Sequence, residues 1–285
     1  MKIWRAIQQD FFLSLGILFL FLIILGIVIG PYFYHVSFDA IDVNQSNLGP
    51  SWGHLFGTND LGQDQLARVL LGGRISLSVS LAAMLVAISL GTLIGAIAGF
   101  YGGILDLILM RFTDLFLSLP QLPLLLLIVY LFRDSVIRIA GAERGIFILV
   151  VLVIGGLNWM SVARLVRADF LKIKEMEFIK AAQSLGAKPI AIIVRHILPN
   201  VMSVIIVAST LAMGNALIIE STLSFLGLGF PPDLPTWGRM LFEAQNYITS
   251  HPHLVVFPGL AIFLTVLSIN AIGNGLRDLL DPKAS

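Results

Sequence analysis

Residues 76–100 read SLSVSLAAMLVAISLGTLIGAIAGF. No charged side chain interrupts the run, and it exceeds the roughly 20 mostly apolar residues that a helix needs to cross a bilayer. Five further stretches read the same way. Towards the N-terminus lies Phe11–Ile29, with Gly30-Pro31 as its expected stop. Towards the C-terminus lie Phe112–Phe132, Gly145–Ala163, Val201–Ile219 and His253–Ile272. The Phe112–Phe132 stretch is the least clean, with Asp114 near its start and Pro120 and Pro123 inside. The expectation is an all-α membrane protein with six transmembrane helices, forming one membrane domain over residues 1–285. Residues 1–74 would hold the first helix and an external loop, and residues 75–285 the core. Composition agrees: of 285 residues, 57% are hydrophobic and 12% charged, against about 25% charged in soluble domains.

Lys and Arg are retained on the cytoplasmic side of membranes. With the N-terminus inside, the inner segments hold Lys2, Arg5, Arg111, Arg164, Arg167, Lys172, Lys174, Lys180, Lys188, Arg195, Arg277 and Lys283. The outer ones hold Arg68, Arg74, Arg133, Arg138, Arg144 and Arg239. Both termini are therefore expected in the cytoplasm. Lys2 and Arg5 before the first apolar run also suit a signal peptide. The run is longer than the roughly 7–15 residues of a signal core, however, and no A-x-A cleavage site follows. It reads as an uncleaved helix.

Several function classes fall away. A net charge of +1 leaves no electrostatic footprint for nucleic acid. The absence of cysteine removes disulfides and thiolate chemistry. No G-x-x-x-x-G-K-[ST] phosphate loop is present, and Ser and His form no nucleophile constellation, so catalysis by this chain is not expected. His54, His251 and His253 raise a metal site as an alternative, but they lack a fixed ligand spacing. The spans hold few ionisable groups, with Asp114 and Glu220 near their ends, which argues against the buried acid and His chains of ion-coupled pumps. Without an energy source of its own, the chain is a passive path or a subunit driven by another protein. Gly91, Gly95 and Gly99 make one small face on the second span. Such a face packs helices within a subunit or against a partner.

The segment from Arg164 to Pro199 is not built like a linker. Phe178, Ala181, Ala182 and Leu185 fall at i, i+3, i+4 and i+7, one face of a helix. Gly186 suits its stop, and Pro189 suits the first turn of a next helix. Ile190, Ile193, Val194 and Ile197 repeat the spacing, and Pro199 is read as the end. The expectation is two short amphipathic helices, lying on the bundle or the headgroups, or docking into a partner's groove.

The string KAAQSLGAKPIAIIVRHILP, Lys180 to Pro199, resembles the EAA loop of ATP-binding-cassette (ABC) importer permeases, with Lys180 standing where the motif has Glu. HLFGTNDLGQDQLAR from His54, ESTLSFLGLG from Glu220, the following Pro231-Pro232 and Pro235-x-Trp237-Gly238, and GNGLRDLLDP from Gly273 resemble blocks of the dipeptide, oligopeptide and nickel permeases. They occur in that family's order. Gln63 and Asn274 depart from its pattern. The resemblance is to the second of the two permeases in such systems.

The resemblance implies a type I importer permease fold, a bacterial or archaeal inner membrane, and transport of peptides by alternating access. Nickel or another small solute is the alternative substrate. An ion-coupled secondary transporter and a scaffold without transport are the rival classes. It further implies a homologous permease partner, two ATPase subunits that carry ATP and Mg, and an extracytoplasmic binding protein. Lys180, Ala181, Ala182, Gln183, Ser184 and Gly186 would then meet the ATPase on a coupling helix within residues 164–199. Asp60, Asp64, Trp237 and Arg239 would face the cavity or the binding protein. No cofactor is expected in this chain.

Overall fold

Asp64 decides where one of the two longest helices starts. Its Oδ1 accepts from the amide of Ala67 at 2.8 Å, an N-cap that satisfies one of the free donors of the first turn. The computed structural model describes residues 10–280, and it begins helix α2 at Gln65, running Gln65–Tyr101. Ahead of it lies α1, Phe11–Phe33, capped by the carboxylate of Asp10. After it come α3 (Gly103–Ser118), α4 (Gln121–Ala140), α5 (Ala142–Lys174), α6 (Glu177–Ser184), α7 (Pro189–Phe225), α8 (Trp237–Ala244) and α9 (His253–Leu280). Five of these helices are long and apolar enough to span a membrane, and the bent pair α3–α4 brings the number to six if it counts as one broken span. Lys2, Arg5, Lys283 and Pro282, used in the sequence reading, lie outside the described residues.

The structure corrects the expected stops. Pro31 does not end α1, because the helix continues to Phe33. Proline has no N–H to give to the carbonyl four residues earlier, which here is that of Ile27. Arg74 fills the vacancy, its Nε donating to the Ile27 oxygen at 3.0 Å and its Nη2 to that of Val28 at 3.2 Å. The same device operates at Pro258 inside α9. It leaves the Leu254 carbonyl free, and Gln65 Nε2 donates to it at 3.1 Å. Pro199 likewise does not end a helix. Residues Ile193–Ile197 widen into a π turn, with the Leu198 amide bonding to the Ile193 carbonyl, and the chain proceeds unbroken to Phe225. The second expected amphipathic helix is thus the foot of the α7 span.

The third expected span is broken. Pro120 disfavours helical geometry at the residue before it, and Leu119 is extended (φ −75°, ψ 141°). The axes of α3 and α4 differ by 88°. Pro123 falls in the first turn of α4, where its missing N–H costs nothing. α3 is fastened across α5 by two ion pairs, Arg167–Asp106 (Nε to Oδ1, 2.5 Å) and Arg164–Asp114 (2.5 Å).

The bundle centres on α2 against α5. A Cβ placed on Gly91 would stand 2.5 Å from Val162 Cβ, one on Gly95 2.5 Å from the Ala163 carbonyl oxygen, and one on Gly99 2.5 Å from Phe170 Cβ. Only hydrogen fits there, so the glycine face is filled by this chain's own α5. One apolar core joins Val79 and Ala83 of α2, Leu125 and Val129 of α4, Ile146, Leu149, Val150 and Ile154 of α5 and Leu223 of α7. A second joins Phe100, Val166 and Phe170 to Ile179 of α6 and Ile192, Ile197 and Val201 of α7. The first core lies toward one end of the bundle and the second toward the other.

Candidate functional site

At the end where α5 gives way to α6, the chain builds a knob. Its closing turn is a left-handed stop: Gly186 takes φ +78°, the Gly186 amide donates to the Gln183 carbonyl at 2.9 Å, and that of Ala187 to Ala182 at 3.1 Å. This pair of bonds is the Schellman arrangement, which favours glycine because a Cβ is disfavoured there. Within α6 only Ile179 is buried, plugged into the second core. The stripe at i, i+3, i+4 and i+7 faces away from the bundle. Phe178 is 45% and Leu185 88% exposed, Ala181 is exposed and Ala182 half-buried. Lys180, Gln183, Ser184 and Gly186 are exposed beside them. Lys180 Nζ lies 3.1 Å from Glu175 Oε2 on the surface, a kind of pair worth about 0–1 kcal/mol. Lys174 Nζ donates to the Phe100 carbonyl at 2.6 Å, tying the last turn of α2 to the root of the knob.

The opposite end is closed by a cap made from the loop after α1, α8 and the start of α9. Here two of the four residues expected to face a cavity or a receptor are interior. Asp64 is 2% exposed. Besides capping α2, its Oδ2 accepts from Tyr34 Oη at 2.7 Å and lies 2.8 Å from His54 Nδ1. Burial first, and then this bond to Asp64, push the Tyr34 hydroxyl above its ordinary range, so it stays a donor. Trp237 is 1% exposed, and its indole N–H donates to the Val69 carbonyl at 2.9 Å. A large ring with one donor is anchored here, not presented. Asp60 is exposed. Arg239 is half-buried in a chain of ions: its Nε meets Glu243 Oε1 at 3.0 Å, while Arg68 Nη2 meets Glu243 Oε2 at 2.7 Å. Gln63 is a buried acceptor for Arg68 Nη1 (2.5 Å) and Asn59 Nδ2 (2.8 Å). His54 is held between Asp64 and Gln45.

Two features escaped the sequence reading. Glu220 is fully buried in α7, with Ser224 donating to its Oε1 at 2.8 Å. Between α5, α7 and α9 runs a furrow of about 550 Å³, lined among others by Asp169, Lys172, Asn200, Ser203, Asn274 and Arg277. It opens toward the α6 end. The only advance sign of the furrow was Asn274, noticed as a departure from a family pattern.

The comparisons with known proteins agree with this architecture. Residues 91–285 match the family described as the binding-protein-dependent transport system inner membrane component. The chain is 34% identical over 288 residues to the oligopeptide transport system permease protein OppC of Haemophilus influenzae, covering 99% of this chain and 89% of that one. It is 37% identical to the glutathione transport system permease protein GsiD of Pectobacterium atrosepticum and 38% to GsiD of Escherichia coli O157:H7, each over 286 residues, 99% of this chain and 90% of the relative. With five or six apolar spans, a projecting short helix at one end and likeness along nearly its whole length, the chain belongs to the inner-membrane permease components of binding-protein-dependent ABC transport systems.

Proposed function

We propose that this chain is one of two related permeases in a peptide importer, driven by two ATPase subunits that grip the α6 knob from the cytoplasm. ATP and Mg bind on those subunits. An extracytoplasmic binding protein delivers peptide to the capped end. The observation that carries the coupling role is the outward-facing stripe of α6. An apolar surface as exposed as Leu185, next to Phe178, at a water-facing end suits a partner's groove. One buried residue, Ile179, holds the helix so that a pull on it is passed to the feet of α5 and α7. Peptide as the solute is supported by the relatives named for oligopeptide and glutathione transport. The Lys and Arg clustered at the α6 end support its cytoplasmic placement.

Burying Leu185 in a partner is worth about 1.5–3 kcal/mol. Leu185→Asp is expected to weaken ATPase attachment at least tenfold, read as loss of co-purification, while the thermal melt of the isolated subunit stays at the parental value. Ala182→Trp is expected to uncouple nucleotide hydrolysis from peptide uptake in proteoliposomes. Parental uptake with both substitutions would remove the coupling role.

A further inference from the structure

Midway along α5, three carboxamides meet on the surface of the bundle. Asn158 Oδ1 accepts from Gln121 Nε2 at 3.2 Å and from Asn215 Nδ2 at 3.0 Å, and Asn158 Nδ2 donates to the Ile154 carbonyl at 2.8 Å. Gln121 opens α4 directly after the 88° break, and Asn215 projects from α7. Gln121 and Asn215 are exposed. Their side-chain oxygens have no partner among the described residues. Asn158 is the middle residue of a 33-residue helix, so each end of α5 lies about 24 Å away. That is the depth of the hydrocarbon, where an unsatisfied polar group costs several kcal/mol. This face of the bundle does not meet lipid.

The cluster continues into the furrow. Going down α5 from Asn158, the exposed Ser161 is followed by Leu165, Asp169 and Lys172, one helical face. Going down α7 from Asn215, Leu211, Val207, Ser203 and Asn200 make the facing side. The walls carry charges of both signs, Asp169 against Lys172 and Arg277. A partner helix packed dry over them would bury several charges at high cost. The furrow is therefore wet, and its head is an uncharged set of amide donors and acceptors.

We infer that the α5–α7 furrow is this chain's wall of the solute path, and that Gln121, Asn158 and Asn215 hydrogen-bond the main-chain amides of the passing peptide. Neutral carboxamides pair with peptide N–H and C=O whatever side chains the solute carries. This rests on the peptide reading above, but the wall itself does not.

The test uses the assembled transporter in proteoliposomes, with trialanine as solute. Asn215→Leu and Gln121→Leu are expected to lower trialanine uptake at least tenfold. ATP hydrolysis stimulated by the binding protein and co-purification of the second permease should stay at parental levels. Parental uptake in both variants overturns the proposal. So does loss of the second permease, since the amides would then be holding that subunit. The chain has no cysteine, so Asn215→Cys brings in the subunit's only thiol. A charged, membrane-impermeant thiol reagent is expected to label it during turnover and to leave Leu22→Cys, on the apolar α1, untouched. No labelling at position 215 overturns the wall. If the parental complex hydrolyses ATP but moves no trialanine while position 215 labels, the wall stands and the peptide reading fails.

Discussion

The contact between α2 and α5 is set one hydrogen atom at a time. At Gly95 even a methyl group would meet the Ala163 carbonyl oxygen at 2.5 Å, and that oxygen belongs to a helix backbone that cannot step aside alone. Gly95→Ala is therefore expected to cost about 1–3 kcal/mol, as overpacking does, measured as a lowered melting temperature in detergent. Gly26→Ala, with nothing within 4 Å of its added Cβ, should leave the melt unchanged. Equal melts for the two variants would contradict the close approach. The glycine spacing was visible in the sequence, but whether its neighbour was α5 or a partner subunit was not, because a small face says nothing about what fills it. The roles of Arg74 and Gln65 were invisible for a related reason. Each serves a carbonyl that a proline in another helix has left without its donor, and that pairing exists only once α1, α2 and α9 lie together.

At the scale of the element, α6 was the most legible part of the chain. Its periodicity, its glycine stop and Pro189 as the start of the next helix all read directly from spacing, because capping chemistry is local. The direction of its apolar stripe did not. Such a stripe usually faces a core, and here the core takes Ile179 instead. Gly186→Ala forces a Cβ into a left-handed position, a strain of about 1–2 kcal/mol. Because the turn lies at the surface, the expected outcome is a subunit that still folds but couples poorly: peptide uptake falls severalfold per ATP hydrolysed. Unchanged stoichiometry would show that the knob tolerates reorientation. The α3–α4 break was half legible. Pro120 was seen inside an apolar run, but a proline can kink a helix or end it. Here it ends the helix at extended Leu119, and Arg164 and Arg167 hold Asp114 and Asp106 of α3 against α5.

On the scale of the whole molecule, the bundle has two differently built ends. One is a knob standing out from the apolar core. The other is a polar cap tied by buried ions. Arg68 is 3% exposed and reaches both Gln63 and Glu243. Truncating one partner of a buried pair costs about 3–5 kcal/mol, and the partial exposure of Glu243 places Arg68→Ala at the low end of that range. Faster proteolysis within residues 35–64 and a lower melt are expected, with the α6 end unaffected. A cap as protease-resistant as the parent would mean that the Asp64 network alone secures it. The difference between the ends suits a machine driven from one side and loaded from the other.

Hydropathy, charge placement and capping signals are properties of short segments. Those properties alone made it legible that this is a helical membrane protein, about where it crosses, and where the short helix before Gly186 stops. The motifs added the family. Whatever depends on meetings between distant segments came with the packed bundle. It put Asp64 and Trp237 inside the cap, carried α1, α7 and α9 through their prolines, and filled the glycine face with α5. It also brought Gln121, Asn158 and Asn215 together, three polar residues scattered through apolar stretches. A helix backbone conceals which of its faces meets another helix, lipid or water, and that choice is made only when the bundle closes.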